Sequence, residues 1–295
     1  MKKYFLALAL VFGLASVANA NEIEKCINYF KSQNYQLALQ AGQNAVRIYP
    51  RSAEAHMCLG GTYYYLGYFN LSIKELKTAE KLTNTKTDLG AIYSVIGNDY
   101  YGLGDLNNAL LYYDRELEID RDLNNQEDES AALSNIAGIY KDQGNYDKTL
   151  EYLNKSLQFT SDPSSIATTY NNIGVVYSAK GDKNKAVEYF KKAIEFDQKA
   201  GDYHGTARDI LNLGSTYKDL KNFQEAENYL QKGLLMMQKL DDKYWEATGY
   251  KYFGKLYLAQ NKKALSKEYF TKAYNLYKAI GDNNDAQWVY VKYLK

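Results

Sequence analysis

The sequence is short of the residues from which reactive sites are built: 295 residues contain two histidines, two cysteines, two tryptophans and two prolines. Two isolated histidines do not make a metal centre, which needs three or four converging ligands. His56 stands where other copies of an internal repeat, described below, carry Tyr93, Leu133, Tyr170, Ile210 and Tyr250, so it reads as a packed core residue. His204 lies beside Gly205 in a turn between copies and reads as an exposed loop residue. No CxxC pair, phosphate loop, serine elbow or zinc motif occurs, and the acidic pairs Asp241 with Asp242 and Glu127 with Glu129 fall in turns, where solvation accounts for them. Without a convergent set of acid, base and nucleophile, neither catalysis nor a bound metal or cofactor is expected.

Charge of one sign is also missing. Lys and Arg number 36 against 35 Asp and Glu, and loss of the two leader lysines turns the balance to near −1. Such a chain has no long-range pull toward nucleic acid or an anionic membrane. Two prolines, 20 glycines and 46% hydrophobic residues belong to a folded chain rather than a disordered polymer.

The one long apolar run is at the start. In "MKKYFLALALVFGLASVANA", Lys2 and Lys3 precede a run from Tyr4 to Val17, and Ala18, Asn19 and Ala20 close it. This is the layout of a secretory signal, with cleavage expected after Ala20 and the array beginning at residue 21. The run is short for a hydrocarbon core of about 30 Å, which disfavours a retained anchor. No lipobox surrounds Cys26, so the expected product is soluble and lies in a Gram-negative periplasm or is secreted.

What the sequence has in abundance is tyrosine, 31 of them, and a repeat. Small residues start a motif at Cys26, Gly60, Gly97, Ala137, Gly174, Gly214 and Gly254, with spacings of 34, 37, 40, 37, 40 and 40 residues. Three residues after each comes a tyrosine: Tyr29, Tyr63, Tyr100, Tyr140, Tyr177, Tyr217 and Tyr257. Mostly small residues recur twelve and nineteen positions on, as Ala186 and Ala193 do in the fifth copy; Glu116 breaks the pattern. Apolar residues three or four apart make each half of a copy an amphipathic helix. The halves meet at "GDL", "GNY" and "GDK", starting at Gly104, Gly144 and Gly181, where glycine can end one helix and Asp or Asn cap the next. Each copy is thus a helical hairpin that must stack on its neighbours to bury its apolar face.

The array resembles the tetratricopeptide repeat family, in the longer copies of 37 and 40 residues that some of its members carry, and Pro50 falls where that family ends a repeat. The resemblance implies an all-α, right-handed α-solenoid of stacked antiparallel hairpins, with about seven hairpins over 21–282 and a capping helix over 283–295 that carries Trp288, Tyr290 and Tyr293. The first copy lacks a clean first helix. Cys26 and Cys58 lie on first helices of neighbouring copies; helix axes about 8 to 10 Å apart often keep such pairs from bridging, so packing is the favoured reading and a disulfide the alternative.

The resemblance further implies a concave groove lined by the first helices and a non-enzymatic protein or peptide scaffold. Groove-facing positions carried over are Tyr64, Tyr65, Ser94, Asn98, Tyr101, Ser134, Lys141, Asn171, Ser178, Arg208, Lys218, Lys251 and Lys255. The tyrosines would anchor a partner, and Arg208, Lys218, Lys251 and Lys255 would attract an acidic segment. Asn135, Asn172 and Asn212, each two residues before a small position, form a row of amides able to pair with an extended backbone, or else with their own repeats. The carboxylate clamp of chaperone-binding members is not reproduced. The alternative is a receptor or enzyme that takes a small ligand, such as a cell-wall fragment, in the groove; self-association through an exposed end is a third reading.

Overall fold

The computed structural model describes residues 21–295, so the signal reading of residues 1–20 lies outside the described residues. The described residues fall into two compact units that meet at Phe159 and Thr160. The first contains α1 (Glu22–Lys31), α2 (Tyr35–Ile48), α3 (Ala53–Tyr65), α4 (Phe69–Leu82), α5 (Lys86–Gly102), α6 (Leu106–Leu123), α7 (Gln126–Asp142) and α8 (Tyr146–Ser156). The second contains α9 (Pro163–Lys180), α10 (Lys183–Ala200), α11 (Tyr203–Asp219), α12 (Phe223–Lys239), α13 (Lys243–Ala259), α14 (Lys263–Ala279) and α15 (Asn283–Val289), which runs into a wider turn at Tyr290–Leu294. No strand occurs among the described residues, and each unit is a stack of helical hairpins of the all-α solenoid class.

Each hairpin is closed by the chemistry its turn requires. Gly104, Gly144 and Gly181 adopt φ of 77°, 73° and 89°, and Asp105, Asn145 and Asp182 then accept the backbone N–H three residues on to start the second helix. The first copy does have a complete first helix, contrary to the sequence expectation. Although α1 is only ten residues long, Asn21 caps it, and Ile23, Cys26 and Phe30 form its buried face.

Two fixed offsets build the core. In five copies the small residue lies under the residue sixteen positions later, on the partner helix. A Cβ on Gly97 would stand 2.6 Å from the Tyr113 ring, one on Gly174 would stand 2.9 Å from Phe190, and one on Gly254 would stand 2.7 Å from Phe270. Gly60 under Leu76 and Gly214 under Leu230 repeat the contact. The first copy inverts it: Cys26 is the larger member and Gly42 the small one. Four of the tyrosines that follow the small residues pair with residues twelve positions later. Tyr100 stacks on Tyr112, Tyr140 on Tyr152, Tyr177 on Tyr189 and Tyr217 on Tyr229, at ring distances of 5.6, 5.4, 5.4 and 5.4 Å. Lysines lie over these rings, as Lys148 does 4.6 Å from Tyr140 and Lys192 does 4.7 Å from Tyr189. Much of the tyrosine content therefore joins the two helices of a hairpin.

Cys26 and Cys58 are bonded, which corrects the packing reading. Their Cα atoms are 6.3 Å apart, within the reach of a disulfide. The approach is closer than helix axes usually allow because Gly42 lies against both the Cys26 sulfur and the backbone of Leu59, leaving no side chain between α1, α2 and α3. At the other end, Ala286 and Val289 of α15 are buried, and Tyr293 stacks on Phe270 with ring centroids 3.9 Å apart.

Candidate functional site

In the first unit, the positions marked as binding residues are partly consumed by packing. The Tyr65 ring stacks on Tyr35 at 4.9 Å and meets Phe30 edge-on at 5.2 Å, and burial pushes its hydroxyl up to about 12. Tyr64 packs beside the cluster that holds Met57, Leu76 and Ile96. Tyr101 is the most open of the three, and its hydroxyl donates to Asp142 of α7, linking successive first helices. Asn98 accepts from the Tyr113 hydroxyl at 2.8 Å, inside its own hairpin. Ser94 is buried, Ser134 is bonded to Ser156, Asn135 is half-buried, and Lys141 reaches Asp142 at 3.6 Å.

In the second unit the candidates divide into two groups. The first group is mostly engaged by partners within the unit. Asn171 is buried and donates to Asp209 Oδ1, which also accepts from Arg208 Nε at 2.8 Å; Arg208 reaches Asp197 at 3.9 Å. Asp197 and Asp209 are both buried, and Gly205 leaves the space for Asp197, since a Cβ there would stand 2.6 Å from its carboxylate. Burial and the neighbouring Asp209 raise Asp197 to about 8, against the pull of Arg208. Arg208 thus serves an internal acid pair rather than an open face. Asn212 accepts from the Tyr252 hydroxyl at 3.3 Å, Ser178 is bonded to Lys183, and Asn172 is half-buried on α9.

Of the second group, Lys251 and Lys255 line a cleft of about 540 Å³ bounded by Lys251, Tyr252 and Lys255 of α13 and by Asn284, Asp285 and Trp288 of α15, while Lys218 lies outside its lining. Lys218 of α11 pairs with Asp219 at 2.7 Å, and Lys251 pairs with Asp285 at 3.3 Å. Lys255 has no acidic partner within ion-pair distance among the described residues, and lies 5.3 Å from the Trp288 ring and 5.9 Å from Tyr252. Burial first, then Lys218, Lys251 and Lys292, push its ammonium down to about 8, while Asp219 pulls weakly the other way. An uncompensated cation beside two aromatic faces is chemically a seat for an anion with an apolar flank.

The remaining sequence readings sort plainly. His56 is buried between Glu75, at 2.7 Å, and the Pro50 carbonyl, at 3.1 Å, while His204 is exposed and pairs with Asp242 at 2.6 Å. Two acids assigned to solvated turns are engaged instead: Asp242 caps α13, and Glu129 is buried against Arg121 at 2.9 Å. Among the described residues no group of three or more His, Cys, Asp or Glu is placed to hold a metal ion, and no helix is long and apolar enough to cross a membrane.

Sequence reasoning missed Trp288, Asp285 and Lys292 as site residues, because they lie beyond the repeat and their register cannot be read from the other copies; it also missed Tyr252, although this residue holds in the last copy the position of Asn135, Asn172 and Asn212. It also missed the buried acids, although a signal exists. Position twenty-three after the small residue is buried Met237 and Tyr277 in the last two hairpins, whereas the third and fifth copies place Asp120 and Asp197 there.

Comparison with known proteins agrees with this geometry. The tetratricopeptide repeat family matches residues 128–199 and 206–279. The outer dynein arm-docking complex subunit 4 of Danio rerio is 22% identical over 167 residues, 57% of this chain and 26% of that protein, so this chain spans about a quarter of the curated relative. A signal transduction ATPase with numerous domains from Pyrococcus horikoshii, which carries a tetratricopeptide repeat sensor, superposes with a TM-score of 0.74 at 20% identity, covering 88% of this chain and 43% of that one. A Rap protein complexed with Competence and Sporulation Factor superposes with a TM-score of 0.63 at 13% identity, covering 95% and 87%. Stacked hairpins, their recurring small and aromatic offsets, and these matches lead to one conclusion: the chain belongs to the tetratricopeptide repeat family.

Proposed function

We propose that this protein is an exported, non-enzymatic scaffold that binds a protein or peptide segment carrying acidic residues along its first-helix faces. The observation that carries this reading is the lysine cleft on α13, where positive charge exceeds its internal partners and two aromatic rings stand beside it. Family membership supports it, since members act as protein-interaction scaffolds, and the Rap neighbour was captured with a bound factor. The leader sequence and the Cys26–Cys58 bridge both suit an oxidising compartment outside the cytoplasm, the Gram-negative periplasm or the exterior. In the first unit Tyr101 offers exposed aromatic area, and in the second Asn172 offers a half-buried amide.

The second reading, a receptor or enzyme for a small ligand such as a cell-wall fragment, is favoured by the cleft volume, which suits a compact molecule. Panning a displayed random-peptide library on the immobilised protein separates the two. The scaffold reading expects acid-rich peptides to be enriched, and their binding to weaken at least tenfold in an Asn135→Ala, Asn172→Ala, Asn212→Ala variant of unchanged helicity. Failure to enrich any sequence, together with a thermal shift from soluble wall fragments, would favour the second reading.

A further inference from the structure

The cleft beside α15 allows a more specific statement, one that rests on the scaffold reading above. Three ammonium groups surround the single indole of Trp288: Lys292 at 5.0 Å, Lys255 at 5.3 Å and Lys251 at 5.7 Å from the ring centroid. Among the described residues, only Lys251 of these three has an acid within ion-pair distance, Asp285, whose other oxygen accepts from the Tyr244 hydroxyl. Lys218 is likewise matched by Asp219. Lys255 and Lys292 are left as the excess charge, and the walls beside them are the Tyr252 and Trp288 rings.

We propose that this cleft binds one peptide carboxylate, seated on Lys255 and Lys292, with the flanking side chain of the ligand lying on Trp288 and Tyr252. A carboxylate carried on a peptide fits better than free phosphate, because the Trp288 and Tyr252 rings beside Lys255 gain contact only from a ligand with an apolar flank. The site is at the cap of the array, built jointly by the last first helix and α15, and touches the asparagine row at Asn212, which accepts from the Tyr252 hydroxyl.

The groups facing Lys255 are Lys218 and Asp219 of α11, Lys251 and Tyr252 of α13, Asp285 of α15 and Lys292 of the terminal turn. Burial first, and then an excess of cations over acids, hold the free Lys255 ammonium near 8. An arriving carboxylate restores its basicity, so binding takes up a proton. Affinity is expected to fall about tenfold from about pH 7 to about pH 9, as the free protein loses that proton.

The test is an NMR titration that follows the Trp288 indole N–H of the purified protein. The probes are Ac-Ala-Phe-Glu-Ala-NH2, with a side-chain carboxylate, Ac-Ala-Phe-Ala-Ala-OH, with a terminal one, the neutral Ac-Ala-Phe-Gln-Ala-NH2, and inorganic phosphate. One or both carboxylate peptides should shift the indole signal saturably, and which of them does so identifies the source of the anion. Lys255→Met should weaken that peptide at least tenfold, the neutral peptide should bind at least tenfold more weakly, and the pH dependence of the unaltered protein should give the same answer without a variant. Equal binding of the neutral peptide, no loss in Lys255→Met, or saturation by phosphate alone would overturn the proposal. If acid-rich peptides from panning bind but shift other first helices and leave Trp288 unmoved, the cleft assignment fails while the scaffold reading stands.

Discussion

Replacing both cysteines of the Cys26–Cys58 bridge with alanine is expected to destabilise the first two hairpins by about 3 to 4 kcal/mol. The bond closes a separation of 32 residues, and the entropy that a loop of that size removes from the unfolded chain is of this order. The loss should stay local, because neighbouring hairpins in a repeat array hold one another mainly through nearest-neighbour contacts. Helix α1 is the weakest element, ten residues long and too short to persist in isolation. Its buried face, Ile23, Cys26 and Phe30, depends on being held against α2 and α3. Amide exchange should therefore speed up strongly in α1 and α2 of the Cys26→Ala, Cys58→Ala variant and little in α5 and α6. Equal exchange with and without the bridge would show that packing alone orders this end.

Stability should also fall as pH rises from about 5 to about 8, the reverse of what surface carboxylates produce. Burial raises Asp99 and Asp120 to about 7 and Asp197 to about 8, and it pushes Glu116 well above the usual carboxylate range. Further acids add to the rise: Asp128 and Glu129 beside Asp120, Asp120 beside Glu116, and Asp209 beside Asp197. A folded-state value raised above the unfolded one means that the native chain keeps protons the unfolded chain releases above about pH 4. Their stabilising contribution is complete below that point and disappears as pH climbs through about 7 to 8. Each group contributes up to about 1.4 kcal/mol per pH unit in that window. Carboxylates with lowered values, such as Glu22 and Asp105, work the other way at lower pH and place the optimum near about 5. Thermal melts across this range should show a falling midpoint, flattened by Asp120→Asn in the first unit and by Asp197→Asn in the second. A midpoint that is level or rising from about pH 5 to about pH 8 would contradict the assignment of these acids as proton-holding core residues.

How far the structure could be read from the sequence depended on the range of the interactions involved. The hairpins were legible because their signals are local: the three-to-four spacing of apolar residues, and "GDL", "GNY" and "GDK" at turns where glycine does take positive φ. The turns at Gln33, Lys221 and Asn261 use the same backbone conformation without glycine and carry no such signal. The seven small residues were visible as a period, but their partners sixteen positions later vary in kind, from Leu76 to Tyr113 to Phe270, and so leave no repeated letter. The Cys26–Cys58 bond turned on the missing side chain at Gly42, on a third helix. Site residues were hardest for the same reason. Arg208 and Lys255 are both cations on first helices, yet one faces two buried acids and the other faces two rings and an excess of lysines. That distinction comes from Asp197 of α10 and from Asp209 beside it in the first case, and from α15, beyond the repeat, in the second.

Hydrogen exchange with an enriched peptide locates recognition on the hairpins. Slowed amide exchange on peptide binding is expected in the first helices α3, α5, α7, α9, α11 and α13, greatest in α13 together with α15. Protection confined to the second helices α4, α6, α10, α12 and α14 would place the partner on the opposite faces of the hairpins and contradict the account.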